Sequence, residues 1–169
     1  VAVPTFAQQA AFTTATTQLA DTATFNGNSL IQFDAPLATG AAAPLATYQS
    51  GTAALLDAGS NGATGIRWGR WSTGNAFAST TTGNQTIALA NSSLHWIIGP
   101  SFELVPILPV SGSTNFVLAG GTTPTDTLGH GGTLRGALLT ADFTAQQVST
   151  TLSLDVNGFN WLASGSGTI

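Results

Sequence analysis

The run QQVSTTLSLDVNGFNWLASGSG (146–167) limits the fold more than any other stretch. Val148, Thr150, Leu152, Leu154 and Val156 recur at every second position. Asn157-Gly158 follows, and then Phe159, Trp161 and Ala163 at the same spacing. Period two marks a strand with one apolar face. Asn-Gly between two such runs is the strongest short hairpin signal, because a type I′ turn needs positive φ at both central residues. TLRGALLTADF (133–143) leads into this hairpin as another strand.

The same grammar extends upstream. NSLIQFDAP (28–36), PLATYQSG (44–51), TGIRWGRWS (64–72), QTIALA (85–90), SLHWIIG (93–99) and TNFVLAGG (114–121) read as short strands between turn clusters. ELVPILPV (103–110) is broken by Pro106 and Pro109, which suits an edge strand or a connection. GGTTPTDTLGHGG (120–132) reads as a long loop. Only one face of each strand is rich in large apolar groups, so the sheet has one dry side. About eight such strands predict an all-β domain over 27–169, either a closed antiparallel barrel or a two-sheet sandwich. Residues 1–26 read as an extended N-terminal arm, with a short helix as the alternative, since TTATT resists a helix. Phe6, Phe12, Leu19 and Phe25 are its large apolar residues. An isolated arm cannot bury them, so the arm is expected to act as a donor strand that pairs with a sheet edge.

Composition removes several partners. Charged residues make up 6% of the 169, there is no lysine, and the net charge is −4. Three arginines cannot supply a phosphate-binding surface, which excludes nucleic acid and disfavours an anionic membrane. A polar but uncharged surface suits a location outside the cytoplasm. No apolar run reaches the ~20 residues of a membrane span, and no basic segment precedes an apolar one as in a signal peptide. Without cysteine there is no disulfide framework and no thiolate metal site.

Two of the three arginines sit in GIRWGRWSTG (65–74), beside two of the four tryptophans. Alternation puts Ile66, Trp68 and Arg70 on one face and Arg67, Gly69 and Trp71 on the other. With Trp68 inward, Arg70 points inward too, and a bulge at Gly69 would turn both tryptophans to the core. A buried cation needs a carboxylate. Glu103, in the apolar context SFELVP, is the expected partner of Arg70, with Asp57 in reserve. Trp68, Trp71, Trp96 and Trp161 form the expected aromatic core. The alternative is a ligand cage built on cation–π geometry. His95 and His130 lack further ligand types nearby, so neither metal nor haem is expected. TTPTD (122–126) and DAGSNGATG (57–65) lack the run of carboxylates of a calcium loop and suit Asx turns. Scattered carboxylates and SGS without a base offer no catalytic dyad or nucleophile elbow, and no catalytic residue or cofactor is expected.

Four motifs together resemble a known family. IRWGRW (66–71), LHWIIG (94–99), NFVLAGGTTPTDTLG (115–129) and GTLRGALLTADFTAQQVSTTLSLDVNGFNW (132–161) are similar to the C-terminal region of bacterial FecR-domain-containing surface proteins. That region looks like the antiparallel barrel of transferrin-binding-protein-type lipoproteins. The resemblance covers residues 64–169. It implies an eight-stranded barrel on the outer surface of a Gram-negative cell, with no catalytic residues. The FecR signalling domain is absent from this sequence. The family pattern also runs on past FNWLASGSG with another strand rich in Phe and Gly. The expectation is therefore a barrel closed by its own N-terminal segment, or an open edge that another chain fills. Two functions follow: a subunit of an extracellular fibre or layer that binds copies of itself by strand addition, or a monomeric surface module that holds a host protein, haem or glycan.

Overall fold

The computed structural model describes residues 22–35, 46–80, 82–99 and 108–169. Thr-rich segments with apolar groups at alternate positions, and almost no Glu or Lys, favour strands over helices. Among the described residues there are twelve strands: β1 (Thr22–Asn26), β2 (Ser29–Asp34), β3 (Ala46–Gln49), β4 (Ala54–Asn61), β5 (Ile66–Ser72), β6 (Asn75–Thr80), β7 (Gly83–Ala88), β8 (Ser93–Ile98), β9 (Ser113–Phe116), β10 (Gly132–Asp142), β11 (Gln147–Val156) and β12 (Phe159–Thr168).

They form three antiparallel sheets, not one eight-stranded barrel. The first has the order β1-β2-β3-β6-β7, the second β4-β5-β8 and the third β12-β11-β10-β9. The chain crosses between the first two sheets three times, at β3–β4, β5–β6 and β7–β8, and two of the crossings are glycine corners. Gly51 (φ 56°) carries the chain from β3 into β4, and Gly74 (φ 62°) from β5 into β6. Each corner moves the chain to the other sheet, as corners of packed sheets do. Glycine is required there twice over: φ is left-handed, and a Cβ would strike the Phe77 ring at Gly51 or the Thr52 carbonyl at Gly74. The corners are laced together. Thr52 N–H donates to Asn75 O at 2.9 Å, and Asn75 N–H donates to Thr52 Oγ1 at 3.0 Å. Strands that leave one sheet for another interrupt the hydrogen-bonded ring that a barrel needs.

The first and second sheets face each other across the core. Leu30, Ala76, Ala78 and Ile87 come from the first, Trp71, Leu94 and Trp96 from the second, and Leu89 from the link between β7 and β8. Trp71 lies at the centre, 1% exposed. Its indole N–H donates to Leu30 O at 3.1 Å, so the ring is buried without an orphaned donor. Phe25 of β1 packs edge-on against Trp96, with ring centroids 5.9 Å apart. Phe25 is therefore a core residue of its own sandwich, held there by the β1–β2 hairpin, rather than part of a free arm. Phe6, Phe12 and Leu19 lie outside the described residues.

The third sheet is different. Its hairpin follows the sequence pattern: Val156 pairs with Phe159, Leu154 with Trp161, and the register continues unbroken to Gln147 and Thr168. Ala141 and Val156 are buried, but every residue of β12 is exposed. Trp161 is 52% exposed and so does not belong to an aromatic core. Alternation gave it an apolar face, and no layer covers that face among the described residues.

Candidate functional site

Two features stand out: the arginine-tryptophan strand β5 and the open edge of β12. On β5 the alternation is regular. Arg67, Gly69 and Trp71 face the first sheet, while Trp68 and Arg70 face away from it. The bulge of this sheet lies on β4, between Leu55 and Asp57, not at Gly69. Only Trp71 and Trp96 enter the sandwich core. Trp68 lies on the opposite face, half-buried against Gly59 and Gly120.

Arg70 is 6% exposed. Among the described residues its carboxylate partner is Asp57, directly across on β4 in the register; Glu103 lies outside the described residues. Arg70 Nε and Nη2 both donate to Asp57 Oδ2, at 2.8 and 2.7 Å. Nη1 donates to Ser93 Oγ at 3.3 Å. Asp57 Oδ1 is buried with no hydrogen-bond partner among the described residues, so attraction to the guanidinium offsets its desolvation there.

On the other flank of Arg70 sits His95, its partner on β8. His95 Nδ1 and Nε2 hydrogen-bond to Thr122 Oγ1 and Thr125 Oγ1, at 2.6 and 2.9 Å. Burial, and then the neighbouring Arg70 charge, hold the imidazole below its usual pKa, with Asp57 opposing. A neutral ring donates through one nitrogen and accepts through the other, and the two hydroxyls can answer either tautomer. The row Asp57–Arg70–His95 thus fastens the 117–131 connection onto the second sheet. That connection is internally fixed as well. Asp126 Oδ1 accepts from the N–H groups of Leu128 and His130, both at 2.9 Å, and Asp126 Oδ2 lies 2.7 Å from His130 Nδ1. Asn61 Oδ1 does the same for Ala63 N–H at 3.0 Å in the β4–β5 turn. Both acidic-looking loops are Asx-type turns.

Arg67 clasps the other face. Its Cζ stands 3.6 Å from the Phe25 ring centroid, and Nη2 donates to Gly27 O at 2.6 Å. The two arginines therefore bind opposite faces of one strand to its neighbours. The third, Arg135, is displaced by a bulge in β10 and pairs with Asp155 on the exposed third sheet. Among the described residues no group of three His, Asp or Glu side chains converges as metal ligands would.

The β12 edge is chemically bare. Ile169 N–H donates to Gln146 O, which sets the parity of the strand. Odd-numbered residues bond to β11, so Asn160, Leu162, Ser164 and Ser166 aim their main-chain groups at the open side. The strand FNWLASGSGT has no charge, no proline and no bulge, the devices that normally block an edge. Sequence reading located this strand but not its open side. It also placed Asp57 second among the partners of Arg70, although counting back from the 62–65 turn puts the two opposite each other.

No family model, no curated protein and no solved structure matches the chain, so the likeness to FecR-domain surface proteins rests on the four motifs quoted above.

Proposed function

We propose that the protein is a non-enzymatic structural subunit that joins copies of itself by strand addition, as part of a fibre or layer outside a bacterial cell. The observation that carries this reading is β12. It is a ten-residue edge strand, exposed throughout and uncharged, and its register to β11 is unbroken. Such an edge is a template for another strand. The low charge of the whole chain supports the same reading, because subunits with few charges repel one another weakly. Electron microscopy of negatively stained native material tests it. Filaments or sheets are the expected result, and isolated particles at all concentrations contradict it.

One observation favours the second reading, a monomeric binding module for a host protein or glycan. Val110, Val117 and Leu128, in loops, are each more than half exposed. Isolated particles retained on immobilised glycan or serum protein would establish that reading instead.

A further inference from the structure

The strand β12 carries its own complement. Phe159, Trp161, Ala163, Gly165 and Gly167 lie on one face, with aromatic rings in the first half and glycines in the second. Among the described residues nothing in the fold calls for those glycines. Neither has left-handed φ. A Cβ at Gly165 would stand 3.7 Å from Thr150 Cγ2, and one at Gly167 would stand 3.8 Å from Val148 Cγ1, both ordinary contacts. No bulge accompanies them. Glycine in an unbulged strand weakens it, and often marks the close approach of another chain.

The second sheet shows what an aromatic opposite a glycine does. Gly59 pairs with Trp68 and Gly69 with Trp96. In each pair the indole lies across the glycine, and a Cβ there would overlap it.

We infer that β12 pairs antiparallel with β12 of a second copy, about a two-fold axis through Ala163. This rests on the self-assembly reading and names the partner strand and its register. Pairing about Ala163 sets Trp161 opposite Gly165 and Phe159 opposite Gly167, in both halves of the joint. It matches the even-numbered residues, whose main-chain groups face outward, to one another: Asn160 to Ser166 and Leu162 to Ser164. It also overlaps the two strands almost end to end. A shift of two residues in either direction leaves Trp161 opposite Ala163 or Phe159 opposite Ile169. The strand has no charge, so a symmetric contact brings no like charges together. Phe159 and Trp161 are 66% and 52% exposed, so four such rings bring roughly 400–600 Å² of open surface to the joint, and pairing covers the part turned toward the partner. The joint is isologous and by itself makes a dimer, an eight-stranded sheet from two four-stranded ones; growth into a fibre or layer takes a second joint at another edge.

The chain has no cysteine, so single cysteines report cleanly. In the inferred register Ala163 faces its own copy in a pair without hydrogen bonds, where Cα atoms approach to ~4.5 Å and a disulfide forms readily. Asn160 lies about 20 Å from its copy along the strand pair. Under mild oxidation, Ala163→Cys should form covalent dimers at least ~tenfold faster than Asn160→Cys. Gly165→Val, which its own fold accommodates, should raise the dimer Kd at least ~tenfold by sedimentation, with an unchanged circular dichroism spectrum. Linking at 163 no faster than at 160 overturns the inference. If that protein still assembles, self-assembly stands and another segment fills the edge, residues 1–21 of a neighbour among them. If it stays monomeric at every concentration, both readings fall.

Discussion

The sandwich and the third sheet obey the same alternation and end in opposite states. In the sandwich, the chain changes sheets at Gly51 and Gly74, and the two apolar faces cover each other. Two bulges interrupt its strand pairs, one between Thr24 and Phe25 and one between Leu55 and Asp57. In the third sheet the 117–131 connection joins β9 to β10 and one bulge sits on β10 at Arg135, but the outer hairpin is regular from end to end. Its apolar face and its β12 edge have no cover among the described residues. Period-two patterning specifies which side chains share a face, but not what lies on top of them. The β12 edge, bare among the described residues, is where a second copy is proposed to add.

The largest expected difference is between two tryptophans. Trp71→Ala removes a ring that is 1% exposed and should cost about 3–5 kcal/mol in urea denaturation. Trp161→Ala, at a site 52% exposed, should cost under ~1 kcal/mol in the dissociated protein. Comparable losses at both sites would show that the third sheet is covered, and would erase the contrast.

Next comes the Arg70 pair. Arg70→Ala strands the Asp57 carboxylate, whose side chain is 29% exposed. The loss should be about 2–3 kcal/mol, below the ~3–5 of a fully buried pair. Asp57→Ala should cost a similar amount, and the double variant should cost less than the sum. Arg67→Ala removes a cation–π contact and one hydrogen bond at the rim, about 1 kcal/mol together.

The smallest effect is on pH. The His95 imidazole is held below its usual 6.5, so the unfolded chain takes up a proton that the folded one resists. Stability should therefore fall as pH drops below about 6.5. His95→Gln should flatten that part of the profile in denaturation curves measured from pH 7.5 to 5. A profile unchanged by the substitution would detach His95 from the fastening of the 117–131 connection.

The outer hairpin was legible because three signals agree there: period two, Asn-Gly, and period two again. Expected strands 146–156 and 159–167 match β11 and β12 to within a residue. Strands β4 and β6 were not legible. ALLDAGSN carries Asp, Gly and Asn, which read as a turn, and NAFAST presents only Ala76 and Ala78 to the core. Missing those two strands hid the sheet-switching corners, and with them the reason that the sheets do not close. Trp68 was expected in the core on the face it shares with Ile66 and Arg70, with a bulge at Gly69 bringing Trp71 to the same side. The bulge instead lies on the partner strand, which leaves alternation on β5 intact.

The central claim is that β12 is open in one copy and filled in the assembly. Residue-resolved amide exchange at two protein concentrations tests it most directly. In dilute protein the amides of Asn160, Leu162, Ser164 and Ser166 should exchange fast, while their odd-numbered neighbours stay protected by β11. Raising the concentration should slow those four amides together. Exchange at one fast rate at every concentration, or protection already complete in the isolated chain, would contradict the account.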